Sequence, residues 1–318
     1  MLNLSKTGFN MKRILNIILS AALLLPCTGL FAQSPIRLYP GKAPGSETWT
    51  HKEVMLDYMS PIWHEMNQVV LNVVDPVIIP YLPAPGTETG AAMLVCPGGG
   101  FYALSWNNEG TQVAQWFADH GIAAFILKYR VSYSGDTMED IQSVADHNYG
   151  GVPQDDAYRA LAARNREKSA ELGDFRKFAH DDACTAIRYI RSHAKEYGIN
   201  PDKIGMVGFS AGGALCLDVL YNHDASSKPD MVGCIYGFRS ADSGLPADPS
   251  PLFLAATQPE IPGRASDMYA LWTSNNLPSE IHSFTDATHG FGYRPNGRAE
   301  NLWITLFFNF MKKTHFIE

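Results

Sequence analysis

Residues 204–213 read Ile204-Gly205-Met206-Val207-Gly208-Phe209-Ser210-Ala211-Gly212-Gly213. An apolar run leads in and a helix-forming run, Ala211–Tyr221, leads out. The stretch therefore predicts a strand, a sharp turn at Ser210 and a helix. Residues 208–212 fit G-x-S-x-G. At average Gly and Ser usage about one chain in ten of this length carries that pattern by chance, so the strand–turn–helix setting gives it weight. Such a turn strains the serine and lifts its hydroxyl above the sheet. Gly208 and Gly212 keep the corner small enough for strand and helix to pack. Ser210 also stands at a helix N-terminus, where backbone N–H groups favour negative charge. The plain alternative is a serine N-cap of any α/β protein.

Outward from this turn, strands and helices alternate. Strands are expected at Gln68–Asp75, Val77–Leu82, Ala91–Cys96, Ala123–Tyr129, Lys203–Phe209, Met231–Tyr236, Leu252–Ala256 and Glu280–Phe284. Helices are expected at Gly110–His120, Asp181–Tyr197, Ala211–Tyr221, Ala265–Asn275 and Glu300–Met311. Alternation of this kind implies an α/β fold with a mostly parallel central sheet and helices on both faces. The two leading strands have no helix between them, so an antiparallel start to the sheet is expected. Asp181 and Asp182 read as caps of the helix that follows. Residues 131–179 break the rhythm as an insertion with a charged, helix-prone core at Asp155–Leu172; a lid and a plain surface excursion fit equally. No Pro/Ser-rich linker divides residues 33–318, which read as one domain.

Composition bounds the rest. The chain has 318 residues, 46% hydrophobic and 18% charged, which excludes a disordered chain. Its net charge of −7 argues against a nucleic-acid partner. Lys12 and Arg13 precede the apolar run Ile14–Leu25, and small residues follow as far as Ala32. This is the pattern of a secretory signal peptide over residues 1–32, cleaved to leave a secreted or periplasmic protein. The run is too short to span a membrane, and Pro26 before Cys27 fits a lipoprotein anchor poorly. Cys96, Cys184, Cys216 and Cys234 lie in apolar or helical stretches without metal-ligand spacing, so they read as buried free thiols, with one disulfide bridge left open, and no metal or other cofactor is expected.

Two further segments carry chemistry. Cys96-Pro97-Gly98-Gly99-Gly100-Phe101 follows a strand, and only glycine lets the backbone come so close to a substrate oxygen. Gly99 and Gly100, with Ala211, are the expected backbone donors of an oxyanion hole. No Lys-Ser/Thr follows, which speaks against a phosphate loop. The expected base is His289, in Thr288-His289-Gly290-Phe291-Gly292, late in the chain and past a strand. Among the other histidines only His147, inside the insertion, stays of interest. Phe101, Tyr102, Trp106 and Phe291 stand where sugar rings could stack, or where a core would be lined.

Taken together, CPGGGF (96–101), Asn108-Glu109-Gly110, LKYR (127–130), AIRYIRSHA (186–194), GFSAGG (208–213) and HGFG (289–292) resemble one family. It is the α/β-hydrolase-fold carbohydrate esterases of the acetyl-xylan-esterase-like kind, related to hormone-sensitive-lipase and BD-FAE-type enzymes. The resemblance covers most of residues 36–314. It implies a serine hydrolase that cleaves small acyl esters, acetyl first, on plant polysaccharide fragments such as xylan. One departure stands out: where the family places an aspartate after Leu254-Ala255-Ala256-Thr257, this chain has Gln258. Glu260 is the nearest replacement for the acid, Asp242 and Asp248 are alternatives, and the acid could be missing altogether. Asp286 lies too near His289 in sequence to be the default. With no acid, the alternative is a degenerate hydrolase fold that binds a carbohydrate or partner with little turnover. A glycosidase would need two facing carboxylates, and no pair is apparent.

Overall fold

The computed structural model describes residues 33–239 and 244–318. The signal-peptide segment and Asp242 lie outside them.

The central sheet has eight strands: β1 (Ile36–Arg37), β4 (Val77–Tyr81), β5 (Ala92–Cys96), β7 (Ala123–Lys128), β8 (Ile204–Phe209), β9 (Val232–Ile235), β10 (Leu252–Thr257) and β11 (Ser279–Phe284). Their spatial order is β1-β4-β7-β5-β8-β9-β10-β11. From β7 to β11 every pairing is parallel, and β4 and β1 join antiparallel at one edge. Strands β5, β8, β9 and β10 are buried along their whole length, which is why they read as unbroken apolar runs.

Helices cover both faces. On one side lie α4 (Phe175–Ser192), α5 (Ala211–Asn222) and α6 (Ser266–Ser274). On the other are α1 (Gln112–Asp119) and α7 (Trp303–Lys313), whose Phe117 and Phe307 rings meet edge to face. The pleat of β8 sorts its side chains accordingly. Phe209 packs on Trp303, while Gly208 faces the first turns of α5, where a β-carbon would collide with the Gly212 carbonyl. The fold is α/β with a mostly parallel sheet, as expected.

Three expectations need correction. The strand expected at Gln68–Asp75 runs instead over Met66–Leu71 (β3) and belongs to a second sheet, in the order β2 (Val54–Met59), β3, β6 (Ala103–Ser105). Of the two leading strands expected, only Val77–Tyr81 (β4) joins the central sheet, and the short β1 completes its antiparallel edge. The helix expected from Asp181 begins at Phe175, capped by Asp174, whose carboxylate accepts from the N–H groups of Arg176 and Lys177. Asp182 is therefore a mid-helix residue. It is fully buried and ion-paired with Arg130, and accepts hydrogen bonds from Arg130 Nε, Nη2 and backbone N–H and from Tyr39 Oη. A carboxylate is tolerated there because each lone pair finds a donor.

Before α4, residues 131–179 contribute two more helices, α2 (Met138–Asn148) and α3 (Asp156–Leu172). Their apolar residues Ile141, Val144, Tyr158 and Leu161 pack with Val69, Leu71 and Ala103 of the second sheet, forming a satellite core. This unit stands beside the Gly98–Gly100 loop: Tyr149 Oη donates to the Gly99 carbonyl at 3.0 Å.

Candidate active site

Ser210 sits between β8 and α5 with φ 48° and ψ −115°, a conformation costly for a side chain bearing a β-carbon. Two backbone hydrogen bonds hold it there: its N–H to Ile235 and Ala214 N–H to its carbonyl, both 2.9 Å. The tightness depends on glycine at 212, since a β-carbon there would strike the carbonyl of Cys96 at the end of β5. So Gly212 serves the neighbouring strand as much as β8.

The hydroxyl meets an imidazole. His289 Nε2 lies 2.9 Å from Ser210 Oγ, and His289 Nδ1 lies 2.5 Å from Glu260 Oε1. A carboxylate only accepts, so Nδ1 carries the proton and Nε2 is left to accept from the serine. Glu260 belongs to a short turn, Gln258–Glu260, at the end of β10. Its Oε2 takes hydrogen bonds from the N–H (3.1 Å) and Oγ1 (2.6 Å) of Thr257. Both carboxylate oxygens are thus committed. Partial burial pushes the Glu260 pKa up, but its hydrogen bonds with His289 and Thr257 outweigh that and hold it below the usual value. The hydrogen bond to Glu260 raises the pKa of His289 against an opposing effect of burial.

The other acid candidates go elsewhere. Gln258 is exposed, and Asp248 pairs with Lys228 at 2.7 Å. Asp286 meets Arg298 only through its backbone carbonyl. His147 is turned away, stacked on Tyr158 with Nδ1 against the Ser143 carbonyl. The four cysteines are buried free thiols.

The glycine loop lies against the serine. A β-carbon on Gly98 would come within 3.1 Å of Ser210 Cβ. Gly99 (φ 134°) and Gly100 (φ 65°) adopt left-handed backbone angles that other residues avoid. The Gly98 N–H is already taken by Glu109 Oε2 at 2.8 Å. Those of Gly99, Gly100 and Ala211 meet no protein acceptor among the described residues. Of the four aromatics, Phe101 and Tyr102 reach the clefts beside Ser210, whereas Trp106 and Phe291 are buried in the core.

Glu109 is the residue that sequence reasoning missed, having appeared only inside a motif. It is 3% exposed and accepts from Gly98 N–H and from Tyr236 Oη, the latter also at 2.8 Å. Tyr236 Oη in turn accepts from Gly292 N–H at 2.9 Å, three residues past His289. One buried carboxylate thereby ties the glycine loop to the histidine loop. Burial pushes its pKa up against the pull of its two donors. Nothing local signals this: an acid just ahead of a helix reads as an ordinary first-turn residue.

Ser210 and His289 open into a cleft of about 440 Å³, walled by Tyr58, Trp63, Tyr102 and Tyr149 with Asn108, Asn148 and Arg294. Asn148 and Tyr149 come from the 131–179 stretch. Among the described residues no group of His, Cys, Asp and Glu could hold a metal ion, and no helix is long and apolar enough to cross a membrane.

Known proteins resemble the chain in sequence and in fold. The BD-FAE family model matches residues 175–231, from the start of α4 to the residue before β9, and so includes the Ser210 turn. An acetylxylan esterase of Xylanibacter ruminicola is 28% identical over 158 residues, which are 50% of this chain and 25% of that protein. An endo-1,4-beta-xylanase B of Butyrivibrio fibrisolvens is 30% identical over 151 residues, 44% of this chain and 18% of that protein. The chain thus spans a quarter or less of the length of these curated relatives. The acetyl ester-xyloside bifunctional hydrolase of Caldicellulosiruptor lactoaceticus superposes with a TM-score of 0.58 at 20% identity, covering 92% of this chain and 100% of that one. The fold is that of the α/β hydrolases, and the chain is similar to acetyl-xylan-esterase-like carbohydrate esterases.

Proposed function

We propose that this is an exported serine esterase that removes small acyl groups, acetyl first, from fragments of plant polysaccharide such as xylan. The observation that carries the reading is the hydrogen-bonded chain Ser210–His289–Glu260 at the foot of a cleft beside the N–H groups of Gly99, Gly100 and Ala211. Ser210 Oγ attacks the ester carbonyl and His289 Nε2 takes its proton. Glu260 stabilises the imidazolium that results. The carbonyl oxygen becomes an oxyanion facing the three backbone donors. Collapse breaks the bond to the sugar oxygen, which leaves with the proton from His289. Water, deprotonated by the same imidazole, then frees the carboxylic acid and restores Ser210.

The alternative of a binding protein without turnover rested on the absent family aspartate, and Glu260 beside His289 removes that support. The xylanase relative shares only a fifth of its length with this chain, and the site described pairs an imidazole with serine rather than two facing carboxylates. Residues 1–32 act as the export signal, 33–318 form the mature domain, and the 131–179 insertion shapes the sugar side of the cleft. The test is acetate release from acetylated xylo-oligosaccharide by wild type and Ser210→Ala. Turnover in wild type with at least a thousandfold loss in the variant supports the reading, on the order of triad removal elsewhere. No turnover in wild type, or turnover that survives Ser210→Ala, overturns it.

A further inference from the structure

Beside the tyrosine-lined cleft, a second groove of about 580 Å³ also reaches Ser210, and it shares Phe101 and Phe238 with a cavity of about 810 Å³. Arg176, from the first turn of α4, and Arg264, ahead of α6, line both spaces. Phe101 and Phe238 supply ring surface between them, and the Arg176 guanidinium lies 4.9 Å from the Phe101 ring centre.

The other charges here are largely spent on one another. Lys177 pairs with Asp181 at 2.6 Å, His180 with Asp218 at 2.8 Å, and Glu260 with His289. The hydrogen bond to Asp218 pushes the His180 pKa up to about 10, so that pair is a neutral couple of ions at neutral pH. The Asp174 carboxylate caps α4. Arg239 lies over the Tyr221 ring. Arg176 and Arg264 have no carboxylate partner among the described residues, in a chain whose net charge is −7. A cation left uncompensated in an acidic protein, twice, beside the reacting serine, is a site for an anion. Guanidinium forks match a carboxylate in two parallel hydrogen bonds, and the flat rings between them suit the face of a sugar.

We infer that Arg176 and Arg264 form a subsite for a carboxylate on the carbohydrate, so that the favoured substrate is an acylated oligosaccharide carrying a uronic acid. The inference rests on the esterase reading for its kinetics but not for its binding. Both arginines are exposed, so each pairing is worth little in salt water, and together they give about a tenfold preference at low ionic strength.

The experiment compares kcat/KM for acetylated xylo-oligosaccharides with and without a glucuronate branch, in wild type and in Arg176→Gln/Arg264→Gln. A third arm uses p-nitrophenyl hemisuccinate against p-nitrophenyl butyrate. Calorimetric binding of the deacetylated acidic and neutral oligosaccharides to Ser210→Ala reads the subsite without turnover. About a tenfold preference for the acidic oligosaccharide is expected in both measurements, falling toward unity in the double variant and in roughly 0.5 M salt. Equal treatment of acidic and neutral oligosaccharides by wild type overturns the inference, as does a preference that survives the double substitution. A preference confined to hemisuccinate also overturns it, because it places the carboxylate on the acyl group. Failure of turnover with the binding preference intact counts against the esterase reading alone.

Discussion

Glu260→Gln replaces one oxygen by an amide nitrogen, and the partners of Glu260 decide what that does. Oε2 now accepts from both Thr257 N–H and Thr257 Oγ1. The threonine hydroxyl can turn, but the backbone N–H cannot, so the single oxygen of the new amide is drawn to Thr257. That points the NH₂ group at His289 Nδ1, which must then accept. The ring proton moves to Nε2, the atom that must take the proton of Ser210. The side chain keeps its place while the imidazole sits in the wrong tautomer. A misplaced tautomer of this kind costs about 10⁴ in kcat, close to 5.4 kcal/mol in the barrier. The pH profile gives a second, independent readout. The base works neutral, so kcat/KM rises with pH through the pKa of His289, which Glu260 holds above the ordinary 6.5. Removing the carboxylate charge must move that acid limb to lower pH. The assay is hydrolysis of p-nitrophenyl acetate from about pH 4 to about pH 9, with stopped-flow active-site titration to count competent enzyme. A variant within about threefold of wild type, with its acid limb unmoved, would falsify the assignment of Glu260 as the acid.

Other predictions follow from buried groups. Asp182→Asn leaves the fully buried Arg130 charge uncompensated and should cost about 3–5 kcal/mol, lowering Tm by roughly 10 °C in a thermal melt; Arg130→Met/Asp182→Leu should recover most of it. Glu109→Gln offers one acceptor where Gly98 N–H and Tyr236 Oη need two. It should lower kcat by about 10- to 100-fold with KM within about threefold, as a shift of the two loops against each other would, and circular dichroism should show the fold retained.

The fold could be read from the sequence because its central strands are buried on both faces and appear as apolar runs between helical stretches. Legibility failed where burial depends on a distant partner. Asp182 looks like a cap because its neighbours Arg176, Lys177 and Asp181 are charged, and nothing local shows that Arg130 waits for it from the end of β7. Strand β2 escaped notice because its burial alternates between half-buried and exposed, with Met55 and Met59 left outside. At the site, the turn at Ser210 and the glycine loop are local patterns, and His289 follows from chain order. Gln258 points the reader to a defect, and only the turn after Thr257 places Glu260, two residues on, against the imidazole. Glu109 acts through Gly98 and Tyr236, on two segments far apart in sequence, and no spacing rule reaches it.

Ser210 as the nucleophile of an ester hydrolase is tested by labelling with a fluorophosphonate ester followed by peptide mass spectrometry, with activity followed in parallel. One adduct per chain is expected, on Ser210, forming in step with loss of esterase activity and strongly slowed in His289→Ala. Full esterase activity in a protein that takes no label at Ser210, or labelling elsewhere that accounts for the inactivation, would contradict it.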